Sequence, residues 1–147
     1  MKTESTSEPA RQFQHSVDCN APRQFAWNYW TNVANWNDPP ASFHLDGPFA
    51  IGSQLTTSLP GQMFHSVIRD VVAGREAIID MQLADAILSF YWKFESLTED
   101  TSRITQRIVL SGPNAAAFVA QAGILEQSTP EGMKKLVAAI ESKLKVG

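Results

Sequence analysis

Three histidines are the side chains in this sequence that could exchange a proton or bind a metal near neutral pH. They are His15, His44 and His65. No two of them lie two or four residues apart, the spacing that places two ligands on one face of a strand or helix. His44 also alternates with Phe43 and Leu45, so it points away from that apolar face. We therefore expect no metal site.

His15 is the histidine best placed to meet a ligand. Phe13, His15, Val17 and Cys19 alternate with polar residues, which predicts a strand with these four side chains on its inner face. A hydrogen-bonded core histidine is the simpler interpretation. The alternative is a general base that faces a bound molecule.

Gln106 is the second polar residue on a predicted inner face, because it alternates in step with Ile104, Ile108 and Leu110. A buried amide without a hydrogen bond costs about 1 to 3 kcal/mol, so we expect Gln106 to have a partner. Backbone, water and a polar atom of a ligand all remain open as that partner.

The other motifs that carry chemistry are missing from the sequence. Asp80 and Asp85 are predicted to face solvent, so no pair of catalytic carboxylates is visible. There is no Gly-rich phosphate loop, G-x-S-x-G elbow or Cys/His pair. We expect no cofactor, so any catalysis would be cofactor-independent.

Composition limits the classes of partner. The 147 residues are 44% hydrophobic and carry a net charge of -3, with the basic residues dispersed, which argues against nucleic acid. The single cysteine excludes an intrachain disulfide. No apolar run is long enough to span a membrane, and the polar N-terminus lacks a signal core. We expect a cytoplasmic protein without membrane insertion, with a disordered lead-in over 1–11 and a single domain over 12–147.

Strands must position most of these side chains. After the first strand, Pro22 begins a short helix whose four large rings require a packing partner, and a second helical turn surrounds Trp36. Strands then follow to residue 111, with Phe64, Ser66 and Ile68 favoured as the inner face of the strand over 62–72.

The last segment predicts an amphipathic helix. Thr129 is expected to cap it and Pro130 to occupy its first turn, after a separate helical run over 114–126. Its apolar stripe contains Met133, Leu136, Val137, Ile140 and Leu144. An antiparallel sheet with one apolar face needs a cover, and this helix is the natural one. The predicted class is α+β: a curled antiparallel sheet, two short helices after the first strand and a long C-terminal helix.

Several motifs, in their order, resemble the START-like SRPBCC superfamily, which includes the birch pollen allergen and the polyketide cyclase/dehydrase-type proteins. The motifs are Ala21-Pro22 with Trp27, Asn35-Trp36-Asn37-Asp38-Pro39, Leu45-Asp46-Gly47-Pro48-Phe49 with Gly52, Ile68-Arg69-Asp70-Val71 with Gly74, Trp92-Lys93-Phe94-Glu95, Arg103-Ile104-Thr105 and Leu110-Ser111-Gly112-Pro113. The resemblance covers roughly Phe13 to Lys145. It implies a helix-grip fold, in which seven antiparallel strands curl around the last helix and leave a deep cavity, but it implies no single chemistry.

The sequence thus predicts that an apolar small molecule, lipid-like or aromatic and polyketide-like, binds between sheet and helix. The expected lining residues are His15, Trp36, Phe64, Phe90, Trp92, Phe94, Gln106, Ile108, Phe118 and Met133. The alternative is a cyclase/dehydrase-type enzyme that uses an acid or base of the same cavity. A third interpretation is a protein-interaction module or a homodimer, because Val67 and Val109 are apolar on the predicted outer face.

Overall fold

The computed structural model describes residues 10–146. Seven strands form one antiparallel sheet in the order β1-β7-β6-β5-β4-β3-β2. The strands are β1 (Arg11–Cys19), β2 (Ser42–Asp46), β3 (Gln54–Leu59), β4 (Gln62–Val72), β5 (Glu76–Leu83), β6 (Ala86–Ser96) and β7 (Ser102–Ser111). The helices are α1 (Arg23–Trp30) and α2 (Val119–Val146), with short 3₁₀ helices at Val33–Asn35 and Ala115–Phe118. The predicted fold class is confirmed.

Consecutive strands from β2 to β7 pair with their neighbours, and only β1 crosses the sheet to pair with β7. Arg11, which the sequence placed in the lead-in, belongs to β1 because it pairs with Leu110 in the ladder. The rest of the predicted disordered lead-in, residues 1–9, lies outside the described residues. Gly112 ends β7 with a φ of 109°, where a Cβ atom would lie 2.8 Å from the Cα of Ala86.

The inner face of β4 is the one that the sequence favoured. Ser66 and Ile68 are buried and Phe64 is half-buried, whereas Met63 and His65 are exposed. A register shift after Ile68 marks a bulge in the pairing of β4 with β5. The inside and outside alternation of β6 and β7 is likewise present, with Phe94 and Ile104 deeply buried.

The rings of α1 find their partner in an aromatic cluster. Its centre is Trp30, which is 2% exposed and has its ring centroid 4.9 Å from that of Trp92 and 5.3 Å from that of Phe94. The full cluster contains Trp27, Trp30, Trp36, Phe43, Phe49, Trp92 and Phe94. These rings bury a large apolar area, and their tilted and edge-to-face contacts add roughly 0.5 to 1.5 kcal/mol per pair.

The C-terminal helix differs from its prediction, because α2 is continuous from Val119 to Val146 and Thr129 does not cap a new helix. The Thr129 hydroxyl instead donates to the carbonyl oxygen of Leu125 at 2.7 Å. Pro130 lies inside the helix and removes one backbone hydrogen bond. Ala122 on one side of Pro130 and Ile140 on the other are both buried, so the core holds both halves of the helix in line.

The two helices cover different parts of the sheet. The long helix α2 packs mainly against β1, whereas α1 packs against β6 and β7. Between them, side chains on the inner face remain only half-buried, among them Phe13, His15, Phe90 and Trp92. No helix among residues 10–146 is long and apolar enough to cross a membrane.

Candidate functional site

Three candidate residues lie side by side on the inner face. The pairing of β1 with β7 places His15 opposite Gln106, and the pairing of β7 with β6 places Gln106 opposite Trp92. Residues directly opposite each other on neighbouring strands have Cβ atoms about 4.5 to 5.5 Å apart, so their side chains meet. We call His15, Gln106 and Trp92 the central row.

Apolar residues flank the central row on both sides. One neighbouring row contains Phe13, Ile108 and Phe90, and the other contains Val17, Ile104 and Phe94. Phe13 and Phe90 are half-buried, so part of this apolar surface remains accessible. A molecule over the central row would therefore meet hydrocarbon and aromatic rings around one amide and one imidazole.

The side chain of Gln106 makes no hydrogen bond to another described residue. Gln106 is 8% exposed. Three of the other buried polar side chains are hydrogen-bonded: Ser89 to Asp80, Ser102 to the Ala21 carbonyl, and Thr129 to the Leu125 carbonyl. Within residues 10–146 the side chains of Gln106 and Ser66 make no hydrogen bond. The expected partner of Gln106 is therefore not another described residue, and its amide is available to a ligand or to water.

Ser66 does not offer the same opportunity. It is 2% exposed and lies between Leu55 and Met81 in the pairing of β3, β4 and β5. Gln106, in contrast, lies between two half-buried side chains, those of His15 and Trp92. Only Gln106 is accessible from the open part of the inner face.

Titratable groups at inner strand positions are few. In the described strands they are Arg11, His15 and Cys19. Arg11 forms an ion pair with Glu126 of α2. Burial, together with the charge of Glu141, raises the pKa of Cys19 to about 11, so the thiol stays protonated near neutral pH. His15 is therefore the remaining titratable side chain at the described inner strand positions, and it makes no ion pair with another described residue.

Three of the predicted lining residues belong to the core. Phe94, Ile108 and Met133 are each 1% exposed, although Phe94 also lines the smaller of the two surface pockets described below. Trp36 belongs to the aromatic cluster, where its ring stacks on Trp30 at 5.9 Å and its indole N–H donates to the Trp30 carbonyl. Trp36 and Phe94 therefore pack against other rings, and their contact with a ligand stays a prediction.

The remaining candidates lie apart from one another. Phe64 is half-buried opposite Thr57, and β4 is separated from β6 by one strand. Phe118 is half-buried and belongs to the hydrophobic cluster that also contains Phe13, Phe90 and Ile108. The structure therefore brings together His15, Gln106, Trp92 and Phe90, and adds Phe13, which the alternation of β1 placed on the inner face but the lining prediction omitted.

Two surface pockets lie outside the central row. The larger, of about 370 Å³, lies between β1 and α2 and is lined by Val17, Asp18, Lys134, Val137, Ala138 and Glu141. The smaller, of about 310 Å³, is lined by Arg23, Arg75, Glu76, Lys93, Phe94, Glu95 and Ser96. The deep cavity that the resemblance implied corresponds to neither pocket. The aromatic cluster packs α1 against the sheet and shares Trp92 with the central row.

The other histidines lie on the outer face. His44 and His65 are both exposed, and each is paired with Thr56 in the register of β2, β3 and β4. Within the described range, no three His, Cys, Asp or Glu side chains come together as a metal site.

The matches to known proteins lie in the structure and not in the sequence. No family model and no curated protein matches the sequence. A point mutant of norcoclaurine synthase from Thalictrum flavum, solved with a transition-state analogue, superposes with a TM-score of 0.70 at 13% identity over 92% of this chain and 96% of that one.

Two further solved structures superpose on this chain over most of their length. The Zhui aromatase/cyclase from Streptomyces sp. R1128 has a TM-score of 0.70 at 14% identity, covering 91% of this chain and 95% of that one. Ara h 8.0201 has a TM-score of 0.61 at 12% identity, covering 93% and 99%. Identities this low show the fold alone. The chain has the helix-grip fold that these three structures share.

Proposed function

We propose that this protein binds a hydrophobic small molecule, aromatic or lipid-like, over the inner face of the sheet. The observation that carries the proposal is the side chain of Gln106, which lies in an apolar surface, is 8% exposed and makes no hydrogen bond to another described residue. Its two N–H donors and its carbonyl oxygen are therefore available to a ligand atom. Gln106 and His15 would orient the polar end of the ligand.

Affinity would come mainly from the apolar neighbours. Phe13, Phe90 and Trp92 expose part of their rings at the inner face, and covering apolar surface contributes about 25 cal/mol per Å². A hydrogen bond to the amide contributes about 0.5 to 1.5 kcal/mol net, enough to select an orientation.

The structural neighbours support this proposal without deciding it. A norcoclaurine synthase of the same fold was solved in complex with dopamine and hydroxybenzaldehyde, two small aromatic molecules. The identity is 14%, so residue roles do not transfer from that enzyme.

Replacement of Trp92 tests the proposal. We expect Trp92→Ala to weaken the binding of an apolar fluorescent dye at least about tenfold, because it removes a ring from the accessible surface. The matched control is Tyr91→Ala, which removes a ring from the same strand on the outer face. The control should bind the dye within about twofold of the parent protein. Unchanged dye binding by Trp92→Ala, with a large loss of stability, would mean that Trp92 serves only the core.

A second candidate is a cofactor-independent cyclase or dehydratase. The position of His15 favours it, because this imidazole is half-buried and lies beside the unpaired amide. A base there could remove a proton from a bound diketone. Exchange of the acidic protons of benzoylacetone in D₂O, followed by NMR, should then be faster with the parent protein than with His15→Gln. Equal exchange rates, with binding of the probe retained, would rule this candidate out.

A further inference from the structure

We infer that the smaller surface pocket binds a singly charged oxyanion, a carboxylate or a phosphodiester group. This pocket, of about 310 Å³, lies where α1 and β5 begin and β6 ends. It shares no lining residue with the central row, so the inference does not depend on the proposed function. It follows from a buried guanidinium atom without a partner and from the charges that line the pocket.

The buried donor is the Nε atom of Arg23, the first residue of α1. This atom is buried and has no hydrogen-bond partner among residues 10–146. The Nε atom of Arg11 is in the same situation, but the guanidinium group of Arg11 already has an ion pair with Glu126. Arg23 makes no ion pair within the described range. A guanidinium group stays charged at physiological pH, and a buried N–H donor needs an acceptor. An anion in the pocket would supply that acceptor.

A second arginine lines the same pocket from the turn between β4 and β5. Arg75 likewise makes no ion pair in the described part of the chain. This turn packs closely on the first turn of α1, because a Cβ atom on Gly74 would lie only 2.9 Å from Oε1 of Gln24. The fold therefore holds Arg23 and Arg75 on neighbouring elements around one pocket.

The other charges of the pocket determine the charge of its ligand. The Nζ atom of Lys93 lies 3.7 Å from Oε2 of Glu95, and Lys93 is paired with Glu76 in the ladder of β5 and β6. Both acids line the pocket, so three cationic side chains face two acidic ones and the net charge is +1. One negative charge balances this pocket, whereas an ammonium group would meet two arginines without counterions.

The start of α1 and the shape of the guanidinium group favour an oxyanion. The N-cap residue is Pro22, no side chain caps the helix, and its first turn contains no acidic residue. The first N–H groups of a helix carry partial positive charge, which stabilises an anion beside Arg23. A guanidinium group also binds two oxygen atoms in parallel, which a carboxylate or a phosphodiester offers and a halide does not.

An NMR titration observed at the Arg23 side chain tests the inference. The Nε–H signal of Arg23 is assigned by its loss in Arg23→Lys and is recorded at pH 6.5. Sodium acetate or sodium dimethyl phosphate is added, with sodium chloride at equal ionic strength as the reference. We expect the signal to shift along a saturable curve with an oxyanion and not with chloride. The internal control is Arg69, whose Nε–H already donates to Asp80 at 2.6 Å and whose signal should stay in place.

Two variants test which side chains form the site. Arg75→Gln should raise the Kd for the oxyanion at least about threefold, because it removes one of the two arginines without a counterion. The matched control is Lys134→Gln, which removes one positive charge from the larger pocket. Its Kd should stay within about twofold of the parent value, because exposed charges distant from a site are screened by salt.

The outcomes decide the inference and the class of ligand. Saturation with acetate alone would assign the pocket to carboxylates, and saturation with dimethyl phosphate alone would assign it to phosphodiesters. Shifts that do not saturate, that chloride reproduces or that Arg69 shares equally would overturn the inference. An unchanged Kd in Arg75→Gln would overturn it as well. Neither probe is hydrophobic, so these results leave the dye-binding test of the proposed function unaffected.

Discussion

Gln106 should limit the stability of the unligated protein. The residue is 8% exposed and its side chain makes no hydrogen bond to another described residue, so an apolar side chain of similar volume would bury more apolar surface there. We expect Gln106→Leu to raise the free energy of unfolding by about 1 kcal/mol in urea denaturation. Loss of more than about 1 kcal/mol would show that the amide has a partner within the fold.

The matched control is Gln12→Leu on the outer face. Gln12 is exposed, and its side-chain oxygen accepts from Arg107 at 3.1 Å. Exposed polar replacements of this kind change stability by about 0.5 kcal/mol or less. The gain should therefore be specific to position 106.

Cys19 should be unreactive in the folded protein. Burial raises the pKa of its thiol from 9.0 to about 11, so at pH 8 the thiolate fraction is about 100-fold smaller than in the unfolded chain. We expect alkylation by iodoacetamide at pH 8 to be slower than in 8 M urea by at least that factor. Comparable rates would mean that the thiol is exposed.

The raised pKa of Cys19 also predicts how the stability of the protein depends on pH. A raised pKa means that folding favours the protonated thiol. The contribution of Cys19 to the free energy of unfolding is therefore complete below pH 9 and is lost as the pH rises from 9 through 11. The parent protein should lose up to roughly 2 to 3 kcal/mol more than Cys19→Ala over this interval. If the free energies of unfolding of the two proteins changed equally with pH, the raised pKa of Cys19 would be contradicted.

The inner positions of individual residues could be predicted from the sequence, but their neighbours across strands could not. Alternation placed His15 and Gln106 on inner faces. The register that puts them opposite each other depends on how β1, distant in the chain, pairs with β7. Which rings are buried in the core and which remain accessible depends on how α1 packs against β6. The periodicity of the sequence does not encode that packing.

At the scale of the elements, α2 shows tertiary packing overriding local signals. Thr129-Pro130 is a typical helix start, yet the helix continues through it because both halves are buried against the sheet. Pro130→Ala should restore the hydrogen bond that proline removes and raise the free energy of unfolding by about 1 to 3 kcal/mol. A neutral or destabilising effect would support the helix break that the sequence suggested.

The aromatic cluster is the part of the hydrophobic core that holds α1 against the sheet. Trp30 contacts five other rings and is 2% exposed. We expect Trp30→Ala to cost about 3 to 5 kcal/mol, because it leaves a cavity among rings that cannot collapse. Trp92→Ala should cost less, since Trp92 is only half-buried. The two variants can be ranked by thermal unfolding, and the reverse order would place the centre of the cluster at Trp92.

At the scale of the whole molecule, the two helices leave several inner-face side chains of the sheet only half-buried. The helix α2 covers the β1 side and α1 covers the β6 and β7 side, which leaves the central row between them accessible at its edges. The fold class followed from the order of the elements and the apolar stripe of the last helix, since an amphipathic helix and a one-sided sheet must cover each other.

The outer face gives less support to a protein partner. Val67 and Val109, on which the homodimer prediction depended, are half-buried on either side of the hydrogen-bonded pair Asp80 and Ser89. We still propose a test of dimerisation by light scattering of the parent protein and Val109→Lys. A dimer that dissociates in the variant would assign this face to self-association.

The central claim is that a hydrophobic small molecule binds over the inner face beside Gln106. The most direct measurement compares native and denaturing mass spectra of the freshly purified protein and adds a titration with an apolar dye. The account predicts an adduct of a few hundred daltons that is lost on unfolding, or an unligated protein that binds the dye. An unligated mass together with no dye binding would contradict the account and leave the accessible rings as part of the core.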